Sequence, residues 1–374
     1  MRHVYRSCYY KFQEEPKHRA AGLAAEPARA RRAGPEHIGS PTGEPLTPSM
    51  ISTGVPPMAE NTASPDESAL IAEFIAFLKD ASTKREPSGP VHRFNQGRHS
   101  GCVRAEFTVL DHLPAELRVG LFSTPRTCQA WIRFANASSQ SDREKDVRGM
   151  SIQISAVPGQ NLTPGSTTQD FVLNSHPVMV VANPREFLQL LKALERGGLH
   201  RMFYLLTHPR TARIGLAARG HPTSHLDIPY WSTTPYRFGE RRAVKYAVTP
   251  CSSITSASAT PLTDHYLRDA LRAHLERSEA CFNFMVQFQT DNRTMPIDDA
   301  TVAWKEQQSP FRAVARIRIP TQNIEEPGQM RRCEDVAFNP WHSLLEHEPL
   351  GGLNRARRDI YRAMAEFRRQ RQAD

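Results

Sequence analysis

Long apolar runs are missing from this chain. No stretch approaches the ~20 residues that a membrane-crossing helix needs, and a mean hydropathy of −0.53 marks a soluble chain. The first residues lack the apolar core of a secretory signal, so a cytoplasmic location is the expectation. Paired cysteine motifs are missing too. The 6 cysteines (Cys8, Cys102, Cys128, Cys251, Cys281 and Cys333) are scattered, with no Cys-x-x-Cys. That argues against a zinc site or a dense disulfide scaffold and makes a reducing compartment the simplest reading. There is no Gly-x-Ser-x-Gly elbow and no phosphate-binding glycine loop. His342 and His347 are five apart rather than the four that would face one metal from a helix. The net charge is +9 and the pI about 9.4. Zinc-finger spacing, a helix-turn-helix and a basic helix leading into heptads are all absent, so nucleic acid is not the expected partner. Basic, solvated ends and a pocket for an anionic ligand account for the excess.

What is present reads in blocks. Residues 1–64 are rich in Ala, Arg, Pro, Gly and Ser without periodicity. They read as a disordered basic extension, with Met50 and Met58 as candidate starts, and residues 65–374 read as one domain. Asp66 to Leu78 carries Leu70, Ile71, Phe74, Phe77 and Leu78 on one helical stripe. Short apolar strands are expected at Val103–Val109, Ala130–Phe134, Met150–Ile154, Phe171–Leu173 and Val178–Val181, separated by turn residues. Pro184 to Glu195 reads as a helix opened by proline and closed by Gly197-Gly198. Residues 208–260 read as an irregular wrap, and Thr263 to Glu279 as a helix. Phe282, Phe284, Val286 and Phe288 alternate with polar or flexible neighbours, the mark of a half-buried strand. Phe311, Ala313, Ala315, Ile317 and Ile319 repeat the pattern. An extended segment follows Pro320, then a terminal helix. Strands grouped before a closing helix predict an α+β fold around an antiparallel barrel, with helices packed outside.

The terminal helix holds Arg357 and Tyr361, four residues apart and hence on one face. A guanidinium beside a phenol favours its anionic form, and a phenolate is a ligand for ferric iron.

The order of motifs from about Val91 to Ala365 resembles the haem catalases, and more closely their small, single-domain catalase-related members. Asp146-Val-Arg-Gly149-Met is similar to the family's Asp-Pro-Arg-Gly-Phe, and Trp131-Ile-Arg133-Phe134 to its Val-Arg-Phe. The resemblance implies that Arg133 faces a haem propionate, a bidentate guanidinium–carboxylate pairing. Asp170-Phe-Val-Leu-Asn174-Ser-His-Pro177 resembles the stretch that supplies a distal asparagine, which gives that role to Asn174. Counting on without gaps, Phe187 falls where the family packs a phenylalanine on the porphyrin. Phe338-Asn-Pro340 leads to Arg357-Arg-Asp-Ile-Tyr361, which matches Arg-x-x-x-Tyr. It implies Tyr361 as axial iron ligand in a proximal helix, Arg357 as its partner and haem b as cofactor. Hydroperoxides are the implied substrates, and a homo-oligomer is admitted.

One departure matters. The family's catalytic histidine sits in Arg-x-x-His-x-Lys-Gly. Aligning Arg93 with that arginine puts Gln96 in the histidine position and Arg98 in the lysine position. A neutral amide can hydrogen-bond but cannot shuttle a proton as imidazole does. Catalase turnover is therefore in question. His99 and His92 remain alternatives for the distal base, because Gly97 and Gly101 permit a local shift. Peroxidase chemistry, rearrangement of an organic (fatty-acid) hydroperoxide and a non-catalytic haem sensor are the competing readings.

Overall fold

The computed structural model describes residues 61–252 and 263–373, within a compact unit spanning Gly54–Asp374. Apart from residues 61–64, the expected N-terminal extension lies outside the described residues. Asn61 is tied down, its amide donating to Glu348 Oε1 at 3.2 Å and to the Pro349 carbonyl at 2.6 Å.

Among the described residues, nine strands form one antiparallel sheet: β1 (His99–Val109), β2 (Thr127–Asn136), β3 (Arg148–Ile154), β4 (Gln169–Asn174), β5 (Tyr230–Trp231), β6 (Tyr236–Arg237), β7 (Ala243–Pro250), β8 (Ala280–Phe288) and β9 (Arg312–Ile319). The order is β5-β4-β3-β2-β1-β9-β8-β7-β6, and β5 also pairs with β7. The sheet therefore closes into a barrel, which removes its free edges. Alternation sets the two faces. Val103, Ile132, Ile152 and Phe171 are mutual register partners across β1 to β4, and all are buried in the barrel interior. Phe107, Ile317 and Phe282 form a second such row across β1, β9 and β8 on the same interior face. Burial of each such side chain is worth about 1.5–3 kcal/mol.

Among the described residues, seven α-helices lie outside: α1 (Pro65–Arg85), α2 (Pro184–Arg196), α3 (Gly198–Thr207), α4 (Pro209–Ala218), α5 (Tyr266–Leu275), α6 (Gln329–Asp335) and α7 (Gly352–Ala373). Ser64 caps α1 by accepting from Glu67 N at 3.2 Å. Asn183 caps α2 by accepting from Glu186 N at 3.0 Å, with Pro184 behind it in the first turn. Gly197, at φ 63°, ends α2 and starts α3 directly. The α+β barrel with outer helices is as the sequence predicts.

Several local expectations change. Residues 208–260 are not a loop throughout: they hold α4, β5, β6 and β7. In β7, Val244, Tyr246 and Val248 face the core as a regular alternation. Val178–Val181 is no strand. It has no ladder partner, and Val181 packs instead with Leu190 and Tyr204 of α2 and α3. The helix expected over 263–279 is confined to α5, and α6 interrupts the segment after Pro320, too short to display a periodic face. In β9 a bulge beside Phe284 and Met285 skips one residue, so Val314 is buried and Ala313 exposed. Four cysteines pair, Cys102 with Cys333 and Cys251 with Cys281. No local pattern announces these pairs, because the partners are 231 and 30 residues apart and meet only through the fold. Among the described residues no helix is long and apolar enough to cross a membrane.

Two histidines are sealed in the core. His347 Nε2 accepts from Leu121 N at 3.1 Å, and burial pushes its pKa down to about 4. His225 stacks on Phe134, and burial together with the Arg148 charge pushes it down to about 3. An unfolded histidine titrates at about 6.5. Below that value the unfolded chain therefore holds more protons than the folded one. Stability is full above about pH 6.5 and falls as pH drops toward 4, by up to roughly 3 kcal/mol per histidine. Urea denaturation midpoints measured across that window should decline, and His347→Gln should flatten the slope while lowering stability at neutral pH.

Candidate active site

The barrel's outer face supplies one wall. Arg133, Ser151 and Val172 are register partners across β2, β3 and β4 and point away from the core. Together with Asn174 they line a cavity of about 470 Å³. Phe74 and Leu78 of α1, Phe187 and Leu191 of α2, and Leu353, Tyr361 and Met364 of α7 also line it. Small or β-branched residues at 151 and 172 leave room beside the sheet, and the helices close it over with apolar side chains. Phe187 meets Phe74 edge-on, with ring centroids 5.7 Å apart.

On α7, Arg357 Nη2 donates to Tyr361 Oη at 2.9 Å, as the four-residue spacing predicts. Arg357 Nη1 donates to Asn354 Oδ1 at 3.2 Å, and that oxygen also accepts from Thr234 Oγ1 at 3.0 Å. Trp341 fixes the first turn of α7, its indole donating to the Asn354 carbonyl at 2.7 Å. This is how the Phe338-Asn-Pro segment bears on Tyr361. Burial pulls the Arg357 guanidinium down, but the Tyr361 and Tyr236 hydroxyl groups outweigh it and hold it above its ordinary value.

A second polar group lines the same cavity. Gln96 Nε2 donates to Asn174 Oδ1 at 3.2 Å. Gln96 sits at φ 57°, in the left-handed region. Its backbone is held there by N donating to the Ala137 carbonyl at 2.9 Å and by its own carbonyl accepting from Arg133 at 2.7 Å. The amide lies flat on Gly149, where a Cβ would come within 2.4 Å of Gln96 Nε2. That close approach explains the glycine of the Asp146-Val-Arg-Gly149 motif.

Arg133, Arg93 and Arg368 crowd one side of the cavity. Arg133 is 1% exposed, and burial followed by the Arg93 charge pushes its pKa down to about 9. Burial and Arg93 likewise push Arg368 down to about 10. Arg93 reaches the end of α6, donating to the Cys333 and Val336 carbonyls at 2.7 Å each and pairing with Glu334 at 2.8 Å. Burial raises the Glu334 carboxyl, but Arg93, Arg133 and His99 outweigh it and leave it below the usual range.

The alternative bases lie elsewhere. His99 Nε2 faces Glu334 Oε1 at 3.1 Å, and burial pushes its pKa down to about 4. His92 is exposed and paired with Glu86 at 2.6 Å. Arg98 bonds the Gln140 carbonyl. All three line a neighbouring cavity of about 960 Å³. That cavity shares Arg93, Asn174 and Phe187 with the first. Of the residues singled out in the sequence, Tyr361, Arg357, Gln96, Asn174, Arg93, Arg133 and Phe187 are gathered by the fold around one cavity. Sequence reasoning missed Arg368, seven residues beyond Tyr361 and so on the same helical face, which periodicity could have supplied. It also missed Glu334 and the His342–Asp170 pair, 2.9 Å apart with His342 on the cavity wall. Nothing local in the sequence marks either. Among the described residues, no group of three or more His, Cys, Asp or Glu side chains could hold a bare metal ion.

No family model matches the chain. It is similar to a catalase-related peroxidase from Mycolicibacterium paratuberculosis, 29% identical over 232 residues, which cover 57% of this chain and 69% of that protein. Among solved structures it is similar to a fungal catalase, with TM-score 0.60, 17% identity and coverage of 88% of this chain and 66% of the other. A bacterial catalase matches with TM-score 0.59 and 15% identity over 83% and 62% of the two chains. Catalase A from Saccharomyces cerevisiae gives TM-score 0.60 and 18% identity over 88% and 69%. The chain thus spans under two thirds of the length of the fungal and bacterial catalases.

Gly149→Ala should force the Gln96 amide off its seat and away from Asn174. The amide is the far end of a flexible side chain beside a cavity, so it should swing aside with little loss of stability. Urea denaturation measures it, and a crystal structure of the variant with the Gln96–Asn174 contact intact would refute the account.

Proposed function

We propose that this catalase-like chain, which has the catalase fold, is a haem-dependent oxidoreductase that acts on hydroperoxides as a peroxidase. The observation that carries the reading is the meeting of the Arg357–Tyr361 pair and the Gln96–Asn174 pair on one cavity of about 470 Å³. The lining suits a flat apolar ring bearing carboxylates. Phe74, Leu78, Phe187 and Met364 offer apolar contact, and Arg93, Arg133 and Arg368 offer cations. Arg133 Nε is buried without a hydrogen-bond partner, a donor that a propionate would satisfy. Tyr361 would hold the haem iron, and the 2.9 Å hydrogen bond from Arg357 suits an oxygen that carries negative charge. Haem b is the form expected, since no Cys-x-x-Cys-His attachment motif is present. When bound, its iron would supply the redox chemistry that cleaves the peroxide O–O bond.

The chain's own residues then set what kind of turnover is favoured. Gln96 spends one N–H on Asn174. Asn174 Nδ2 and Gln96 Oε1 have no protein partner among the described residues, so the pair can donate to one peroxide oxygen and accept from the other. Neither amide can take a proton and return it. His99, which could, turns to Glu334 instead. This favours peroxidase turnover with an external donor over rapid disproportionation. The neighbouring cavity of about 960 Å³ reaches Asn174 between Val178, Met179, Val180, Leu190 and Leu191. Its size, and this apolar part of a wall that is otherwise largely polar and charged, would admit an organic hydroperoxide as well as hydrogen peroxide. In this reading, residues 65–374 form the haem-binding domain.

Tyr361→Phe should lose most bound haem after expression with haem supply, read as the Soret-to-protein absorbance ratio. A normal ratio would sink the ligand assignment. Gln96→His should raise oxygen evolution from hydrogen peroxide by about 10²-fold, the usual worth of a general base. If His99→Ala instead abolishes activity already present, Gln96 is not the acting group.

A further inference from the structure

The helix α3 is built the wrong way round for a soluble surface. Tyr204 packs inward with Val181 and Leu190, and Leu205 packs against them. Leu199, Met202, Phe203 and Leu206, spaced as one helical stripe, are 74%, 53%, 69% and 72% exposed. On the flanking helices, Leu194 of α2 is 44% exposed and Leu216 of α4 is 77% exposed. These are among the largest exposures of any bulky apolar side chain in the described residues. An unpartnered apolar stripe on a helix calls for a partner.

Charge identifies the partner. From Gly197 to Gly220 there is no aspartate or glutamate, while Arg201, Arg210, Arg213 and Arg219 fall in that span and Arg196 just before it. Of these only Arg210 is ion-paired among the described residues, to Asp299 at 3.1 Å. Arg196, Arg201, Arg213 and Arg219 are exposed. A second copy docking the same face would set arginines against arginines. A flat anionic surface with an apolar interior satisfies both features at once. Leu and Phe side chains enter the acyl boundary while the arginines stay at the level of the headgroups.

We propose that the α3 face docks the protein on anionic lipid membranes as a peripheral protein. The face adjoins the mouth of the larger cavity, which is lined by Leu194 of α2 and Ala218 of α4. Docking there brings that mouth to the lipid surface. The inference uses none of the residues assigned to the peroxide site and stands apart from that assignment.

The test is flotation of the purified full-length chain with vesicles of phosphatidylglycerol and phosphatidylcholine in equal parts, against vesicles of phosphatidylcholine alone. The protein should float with the first far more than with the second, and added salt should weaken the association. Replacing Leu199, Phe203 and Leu206 together by serine should cut the bound fraction by about tenfold or more, because the inserted apolar area is what holds an interfacial helix. Arg201→Glu with Arg213→Glu should remove the preference for phosphatidylglycerol, and it tests the idea even if the serine variant misfolds. The proposal fails if the wild type does not float with phosphatidylglycerol vesicles, or if both variants float as it does. It also fails if sedimentation in lipid-free buffer finds an oligomer that the serine variant breaks, since a second copy would then cover the face.

Discussion

Closure of the barrel is the constraint on which the rest depends. A strand has two faces, and once the sheet closes, one of them must fill the interior without voids. Val103, Ile132, Ile152, Phe171, Phe282 and Ile317 meet that demand. Everything chemical is then left to the outward face, where Arg133, Ser151 and Val172 fall in one row. A one-residue slip of β2 would turn Arg133 into the core and expose Ile132, so the fold's own stability fixes the register of the cavity wall. The helices complete the enclosure, and α7 carries Arg357 and Tyr361 to it on a single face.

Enclosing so many cations carries its own cost. Arg93, Arg133 and Arg368 are all held below their ordinary pKa values, chiefly by burial. Glu334 is the carboxylate that balances them, with Arg93 also bonded to carbonyls at the end of α6. Because Cys333 is joined to Cys102 of β1, the short helix that presents Glu334 is anchored to the barrel. Among the described residues, positive charge thus exceeds negative on this side of the cavity.

The fold was legible wherever period and burial agreed. Phe282 to Phe288 alternates with its neighbours, and the helix at 184 announces itself by Pro184 and the closing glycines Gly197 and Gly198. It was illegible where a few residues are defined by what they meet. β5 and β6 are two residues each, α6 is seven, and Val178–Val181 is apolar for the sake of α2 and α3 rather than a ladder. The site divides in the same way. Arg357 and Tyr361 are neighbours on a helix, so their spacing alone brings them together. Gln96 and Asn174 lie 78 residues apart and were paired only through motif order. Glu334 and His342 join the site through long-range packing that no local pattern encodes. Backbone conformation, which no motif count encodes, sets where these side chains lie: Gln96 at φ 57° rests on Gly149, while His99, three residues on and already in β1, meets Glu334.

The Cys102–Cys333 bond ties residues 231 positions apart. Most of the barrel, α2 to α5 and much of the cavity wall therefore lie inside one covalent ring. A protease that cuts once anywhere between those two cysteines opens the ring without releasing a fragment, and the two pieces stay joined through β1 and α6. The α7 helix lies outside the ring, so nothing covalent retains Tyr361 if the chain is cut in the stretch that follows Cys333. The molecule is thus tolerant of nicking across its scaffold and vulnerable to it in the short tether that leads to α7.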